Sequence, residues 1–400
     1  MTDDSTEFQE QDEEMAGIEV KLETVSKTMV YPLDWTVETI ITQLERGNII
    51  INPKFQRRDA WQKIRKSHYI ESLFIGLPVP QIVLAEKERG RGEYFVLDGK
   101  QRMLSLLQFI GSAPDNKYNN FKLSNLEVRT DLNGSTYDEI KADFELEDTL
   151  KSFLSQPIRC MVLRDWADID FLHLIFVRLN NGSLSLSPQE LRQALFPGPF
   201  MDYIDDAASK SASLKTLLKI DEPDFRMRDV ELLIRYLAFA FFLDGYAGSL
   251  KHLLDNTCDR LNKAWDNYEQ KVISQVEAFE EAIQAGMAIF GEHEVGHKWI
   301  GSQYEKRLNK AIIDILAFYF SDEKIRQAAL EKKAEIVIQF QQLCEENQNF
   351  KNAIEKTTNS LSATSDRLII WGEVLKEVLG LNFSIPKFSH GKIQFNGFWR

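Results

Sequence analysis

The 400-residue chain has little cysteine, no long apolar run and no excess of positive charge. Cys160, Cys258 and Cys344 are too widely spaced for a metal-ligand set, and an odd count argues against a disulfide framework. That usage fits a reducing, cytoplasmic setting. The longest apolar stretch, Leu232 to Leu243, contains Arg235 and is shorter than the roughly 20 residues a membrane-spanning helix needs, so it reads as a buried helix. The N-terminus has no basic segment followed by an apolar one, which argues against a secretory signal. No repeat at a period of tens of residues is visible, which argues against a solenoid. A net charge of −13 excludes a protein coated in basic surface.

The charge is unevenly placed. Residues 1 to 25 hold nine carboxylates against Lys21 alone. Residues 1–27 are therefore expected to form an acidic, disordered tail, either purely solubilising or mimicking nucleic acid in front of a basic groove. Basic side chains cluster in one place, where Lys54, Arg57, Arg58, Lys63, Arg65 and Lys66 surround Phe55 and Trp61. Two readings stay open for this cluster. It can track a phosphate backbone with aromatics for stacking, or it is a solvated helix start with two core aromatics.

The pattern predicts an α+β domain over 28–200 and a mostly helical domain over 201–400. Within the first, helices are expected to Arg46 from a cap at Asp34 or Thr36, from Ile64 to Ile75, from after Gly99 to Ile110 and from Asp168 to Leu179. Strands are expected at Gln81 to Ala85, Tyr94 to Leu97 and Pro157 to Leu163, the first two as a hairpin. Residues 112–150 look polar and irregular. Ser187, Pro188 and Glu190 spell a capping box opening a further helix. In the second half, amphipathic helices are predicted over Val230–Leu243, Leu250–Ala285 and Tyr304–Phe320.

The segment YFVLDGKQRMLSLL passes from strand to helix through Asp98 and Gly99. A helix start presents N–H groups and the positive end of the dipole, and so favours an anion. Gly99 lets a ligand or another backbone come close. Lys100 and Arg102 place positive charge on the first turn, where the dipole disfavours it, which implies an anionic visitor. Arg102 suits a two-point contact with phosphate oxygens. Asp98 can cap the helix, hold Arg102 or carry a Mg²⁺. An ordinary capped turn is the alternative. The glycine spacings of a Walker loop and of a dinucleotide fingerprint are both absent.

Three blocks occur in one order: FQRRDAW (Phe55 to Trp61), VLDGKQR (Val96 to Arg102) and FVRLNNGSLSLSPQELRQA (Phe176 to Ala194). Together they resemble the N-terminal domain family of GmrSD-type modification-dependent restriction enzymes, which is related to the ParB and sulfiredoxin fold. The resemblance implies a nucleotide site used for hydrolysis coupled to action on DNA. It implies catalytic roles for Asp98, Gln101 and Arg102. It implies ligand-binding roles for Gly99 and Lys100, for Gln56 and Arg57, and for Arg178, Asn180 and Gly182, with an NTP and Mg²⁺ as cofactors. Lys100 stands where the family motif has glutamine, and Ser183 where the later block has glycine. The six histidines form no cluster of the HNH nuclease kind, so a partner nuclease or defence subunit is expected to supply cleavage.

Residues 293–297 read HEVGH, which on a helix would put His293 and His297 on one face as zinc ligands. Gly296 inside that helix favours a surface loop with two solvated histidines. Three functions stay in view: a nucleotide-binding, NTP-hydrolysing subunit of a restriction or phage-defence system; a ParB-like DNA-binding module without turnover; and a helical interaction protein, whose long helices also fit packing against a second copy.

Overall fold

The computed structural model describes residues 28–50, 61–87, 90–111, 121–166, 169–179, 187–355 and 358–398. The chain divides into two units, one ending at Leu195 and the next beginning at Phe196.

In the first unit, strands β1 (Met29–Thr36), β2 (Ile49–Ile50), β3 (Ile82–Lys87), β4 (Gly90–Asp98) and β5 (Pro157–Arg164) form one sheet in the order β1-β5-β3-β4-β2. β3 and β4 pair antiparallel, the expected hairpin, while β3 runs parallel to β5 and β2 parallel to β4. Successive strand residues point to opposite faces. Ile82, Leu84, Tyr94, Val96, Ile158, Cys160 and Val162 share a core with helices α1 (Val37–Glu45), α2 (Lys63–Phe74), α3 (Lys100–Ile110), α4 (Tyr137–Ala142) and α5 (Glu147–Ser155). Val83, Ala85, Phe95, Leu97 and Leu163 share a second core with α6 (Ile169–Leu179) and α7 (Pro188–Leu195), through Phe171, Leu172 and Leu191. A sheet covered on both faces needs near-continuous apolar strands, and β3 and β5 have them.

Two features depart from the sequence pattern. β1, where no strand is expected, turns Tyr31, Leu33 and Trp35 onto the first core and contains Pro32. It is an edge strand paired to β5 alone, where proline is tolerated. The second is the segment 112–150. Its described part is not irregular: α4 and α5 form there, and Leu123, Leu126, Leu132, Tyr137 and Ile140 enter the first core. Glu71 on α2 anchors the stretch by accepting from the N–H groups of Glu127, Val128 and Arg129 at 3.2, 2.8 and 2.8 Å.

The second unit contains helices α8 (Pro199–Lys210), α9 (Ala212–Leu218), α10 (Arg228–Phe242), α11 (Leu250–Lys263), α12 (Trp265–Phe290), α13 (Lys310–Phe320), α14 (Glu323–Glu331), α15 (Lys333–Glu346), α16 (Gln348–Glu355) and α17 (Leu361–Leu379). Hairpins β6 (His297–Ile300) with β7 (Gln303–Leu308), and β8 (Lys387–Ser389) with β9 (Lys392–Gln394), complete it. The architecture is thus α+β followed by a mostly helical region. The apolar stretch after Leu232 lies in α10, buried as expected, and its Arg235 makes a two-point contact with Asp314 at 3.0 and 2.6 Å. No described helix is long and apolar enough to cross a membrane. The expected helix 250–285 is two helices, parted at Ala264. The expected helix 304–320 is a strand, paired with β6, followed by a helix that Asn309 caps by accepting from Ile312 N.

Candidate functional site

β4 ends at Asp98 and α3 begins at Lys100, so Gly99 alone makes the junction. Its φ of 97° lies in the left-handed region, and a Cβ there would come within 3.0 Å of Ile82 Cγ1. Both facts call for glycine. No side chain caps the helix, and its first backbone bond is Met103 N to Gly99 O at 3.0 Å. The dipole's positive end is therefore left without a capping oxygen from Gly99.

The two first-turn cations are both buried and both committed. Arg102 donates from Nη2 to Asp98 Oδ2 at 2.7 Å and from Nη1 to the Gln81 carbonyl at 2.9 Å. Of the three roles open to Asp98, holding Arg102 is the one seen. Lys100 Nζ donates to Glu190 Oε1 at 2.5 Å, and both side chains are 5% exposed. The carboxylates that answer these cations thus come from the protein itself, one local and one from α7. Burial pushes the Tyr69 phenol above its ordinary range, with the Arg102 charge opposing.

Glu190 is held from two directions. Ser187 N donates to its Oε2 at 2.6 Å, and its own N–H donates to Ser187 Oγ at 3.1 Å, so the predicted capping box is present. Its remaining oxygen meets Lys100. Sequence reasoning found Glu190 as a cap and missed it as the counter-charge of Lys100. No local sequence signal marks this pairing; in the structure the polar residues of the run QELRQ are all buried.

Arg178 is exposed in the last turn of α6. Gln56, Arg57, Asn180 and Gly182 lie outside the described residues, as do Lys54, Phe55 and Arg58 of the basic cluster. Of that cluster's described part, Trp61 packs edge-on against Tyr69, with ring centroids 5.9 Å apart, and Arg65 sits 4.6 Å above its ring. This is the packing that the core-aromatic reading anticipates for Trp61.

HEVGH is a turn running into β6, not a helix. His293 is exposed, but His297 is not the solvated side chain expected. It is 5% exposed and its Nδ1 lies 2.7 Å from the Glu305 carbonyl oxygen. Burial lowers its pKa, with the backbone contact opposing.

Residues 37–197, about two fifths of the chain, match the family model described as GmrSD restriction endonuclease, N-terminal domain. No curated protein and no solved structure matches the chain. The Asp98–Arg102 turn, α6 and α7 all fall inside the matched span, so it is over these residues that the chain is similar to the GmrSD-type N-terminal domain.

Proposed function

We propose that the chain serves a restriction or phage-defence system and that its first unit binds a nucleoside triphosphate with Mg²⁺ at the start of α3. The observation that carries this reading is the strand, left-handed glycine and helix junction, which lacks a side-chain cap and is fixed on both sides by ion pairs. An anion at such a helix start gains from the dipole and from oriented N–H groups. Asp98 ends β4 at this turn and is 24% exposed, so it is the group that would hold a Mg²⁺, which would supply charge to offset the phosphates. Arg102 positions Asp98, and Gln101, next to Lys100 on the first turn, is the group to orient a water for hydrolysis. Gln56, Arg57, Arg178, Asn180 and Gly182 join the pocket by the family's pattern.

The matched description, a restriction endonuclease domain, supports DNA as what the system acts on; in this reading a separate nuclease or defence subunit supplies cleavage. The test is thermal unfolding with each NTP and Mg²⁺. A bound nucleotide raises the transition by mass action, by about 2.7 kcal/mol at a hundredfold excess over Kd. Asp98→Asn is expected to remove the Mg²⁺-dependent part of that rise. No rise with any NTP overturns the reading.

A further inference from the structure

Beside the Lys100–Glu190 pair lies a set of buried amides. Gln189 and Gln193 on α7 are 0% and 1% exposed. Gln189 Oε1 accepts from Arg192 Nη1 at 2.7 Å, but its Nε2 has no hydrogen-bond partner among the described residues. Neither amide atom of Gln193 has one. Oε1 of Gln101, in the first turn of α3, is buried in the same condition.

These positions are related by helix geometry. At about 100° per residue, Gln189, Glu190 and Gln193 fall on one side of α7, while Leu191 and Leu195 fall on the other and pack on the sheet. Gln193 is thus one turn along α7 from the carboxylate that grips Lys100, and Gln101 is the residue after Lys100. Folded proteins leave few buried polar atoms unsatisfied, and a bound ligand is one of the recognised reasons for those that remain. Three glutamines around one ion pair share the condition here.

The chemistry of the unsatisfied atoms narrows the ligand. A phosphate offers acceptors only, so it can meet an amide N–H but not Oε1 of Gln101 or Gln193. A metal ion can meet the oxygens but not the N–H₂ groups. Exchanging O and N within an amide does not change this, since each glutamine carries both. The complement is a group with a donor beside an acceptor, which is the edge a nucleobase presents to a glutamine.

We infer that Gln193, with Gln189, receives the base of the nucleotide whose phosphates lie at the start of α3. The inference rests on the phosphate reading above and assigns the base-recognising role to α7. The test compares affinity for the four NTPs and for inorganic tripolyphosphate, each with Mg²⁺, in wild type and Gln193→Leu. The wild type is expected to bind at least one NTP more tightly than tripolyphosphate. Gln193→Leu is expected to weaken NTP binding by roughly tenfold or more, the value of a lost two-point amide contact, and to leave tripolyphosphate binding unchanged. Unchanged NTP affinity, or an equal loss for both ligands, overturns the inference. So does a wild type that binds tripolyphosphate as tightly as NTPs, although the phosphate reading then stands. A wild type that binds neither overturns both. Removing an unsatisfied amide is not expected to lower the melting temperature of the ligand-free protein. Should Gln193→Leu fail to fold, Gln193→Met, which keeps the length of the side chain without either amide group, carries the same comparison with the same outcomes.

Discussion

Arg102 has its terminal guanidinium nitrogens on Asp98 and on the Gln81 carbonyl, so its truncation leaves a carboxylate and a backbone oxygen without their donor. Arg102→Ala is expected to cost about 1.5–3 kcal/mol, the range for hydrogen bonds to charged groups. An unchanged urea midpoint would show that the contacts are not held in solution. Lys100 and Glu190 form a more deeply buried pair. Removing one partner leaves an uncompensated charge, at about 3–5 kcal/mol. Lys100→Met and Glu190→Gln, alone and combined, are expected to give a double change smaller than the sum of the singles; strict additivity would mean the two do not interact. The strand, the Asp-Gly turn and the helix were legible from FVLDGKQR, because each local preference agrees with the next. The partners of the two cations were not. Gln81 is 21 residues from Arg102 and Glu190 is 90 from Lys100, and no local pattern joins them.

At the scale of elements, the capping box, the β3–β4 hairpin and the extent of α3 followed from the sequence, whereas residues 121–155 did not. Their apolar residues are sparse and their backbone is held from outside by Glu71. Burial raises the pKa of this carboxylate, but the N–H groups of Arg129, Val128 and Glu127 outweigh it, and the net shift is downward. A depressed carboxylate contributes stability above its unfolded pKa and loses it as pH falls through the folded value. The difference in stability between wild type and Glu71→Gln is therefore expected to be full above about pH 4.5 and to shrink below it. A difference that stays constant down to pH 3 would deny the ionised form its role. β7 was misread for another reason. QYEKRL lies directly before a strongly apolar helix, and its own mostly polar residues carry no alternation to set it apart.

On the scale of the whole molecule, the two units answer acid through different groups. In the first, Glu71 is one of several carboxylates, with Glu86 and Asp131, whose pKa is lowered. In the second, His297 is buried with its pKa lowered, so the unfolded chain takes up a proton more readily than the folded one. The stability this group supports is complete above about pH 6.5 and declines as pH falls from there to the folded value. Amide hydrogen exchange between pH 7 and 5 is expected to rise in β6, β7 and α13 before it rises in β3 and β4, after correction for intrinsic rates. A simultaneous rise in both units would mean that His297 does not govern the acid response of its own. The mixed first half and helical second half could be read in advance, since alternation gives way to helical periodicity near residue 200. That His297 is interior could not, because HEVGH carries no apolar pattern that marks one histidine as buried.

Glu190 has one oxygen on the Ser187 N–H and the other on Lys100. During synthesis, the first turn of α3 leaves the ribosome long before α7 is made. Until then Lys100 has no carboxylate from α7 to meet, and the interior beside Gly99 cannot close around a neutralised lysine. The junction at Asp98 is encoded early but completed late, and a nascent chain halted before Glu190 would carry the motif without its finished pocket.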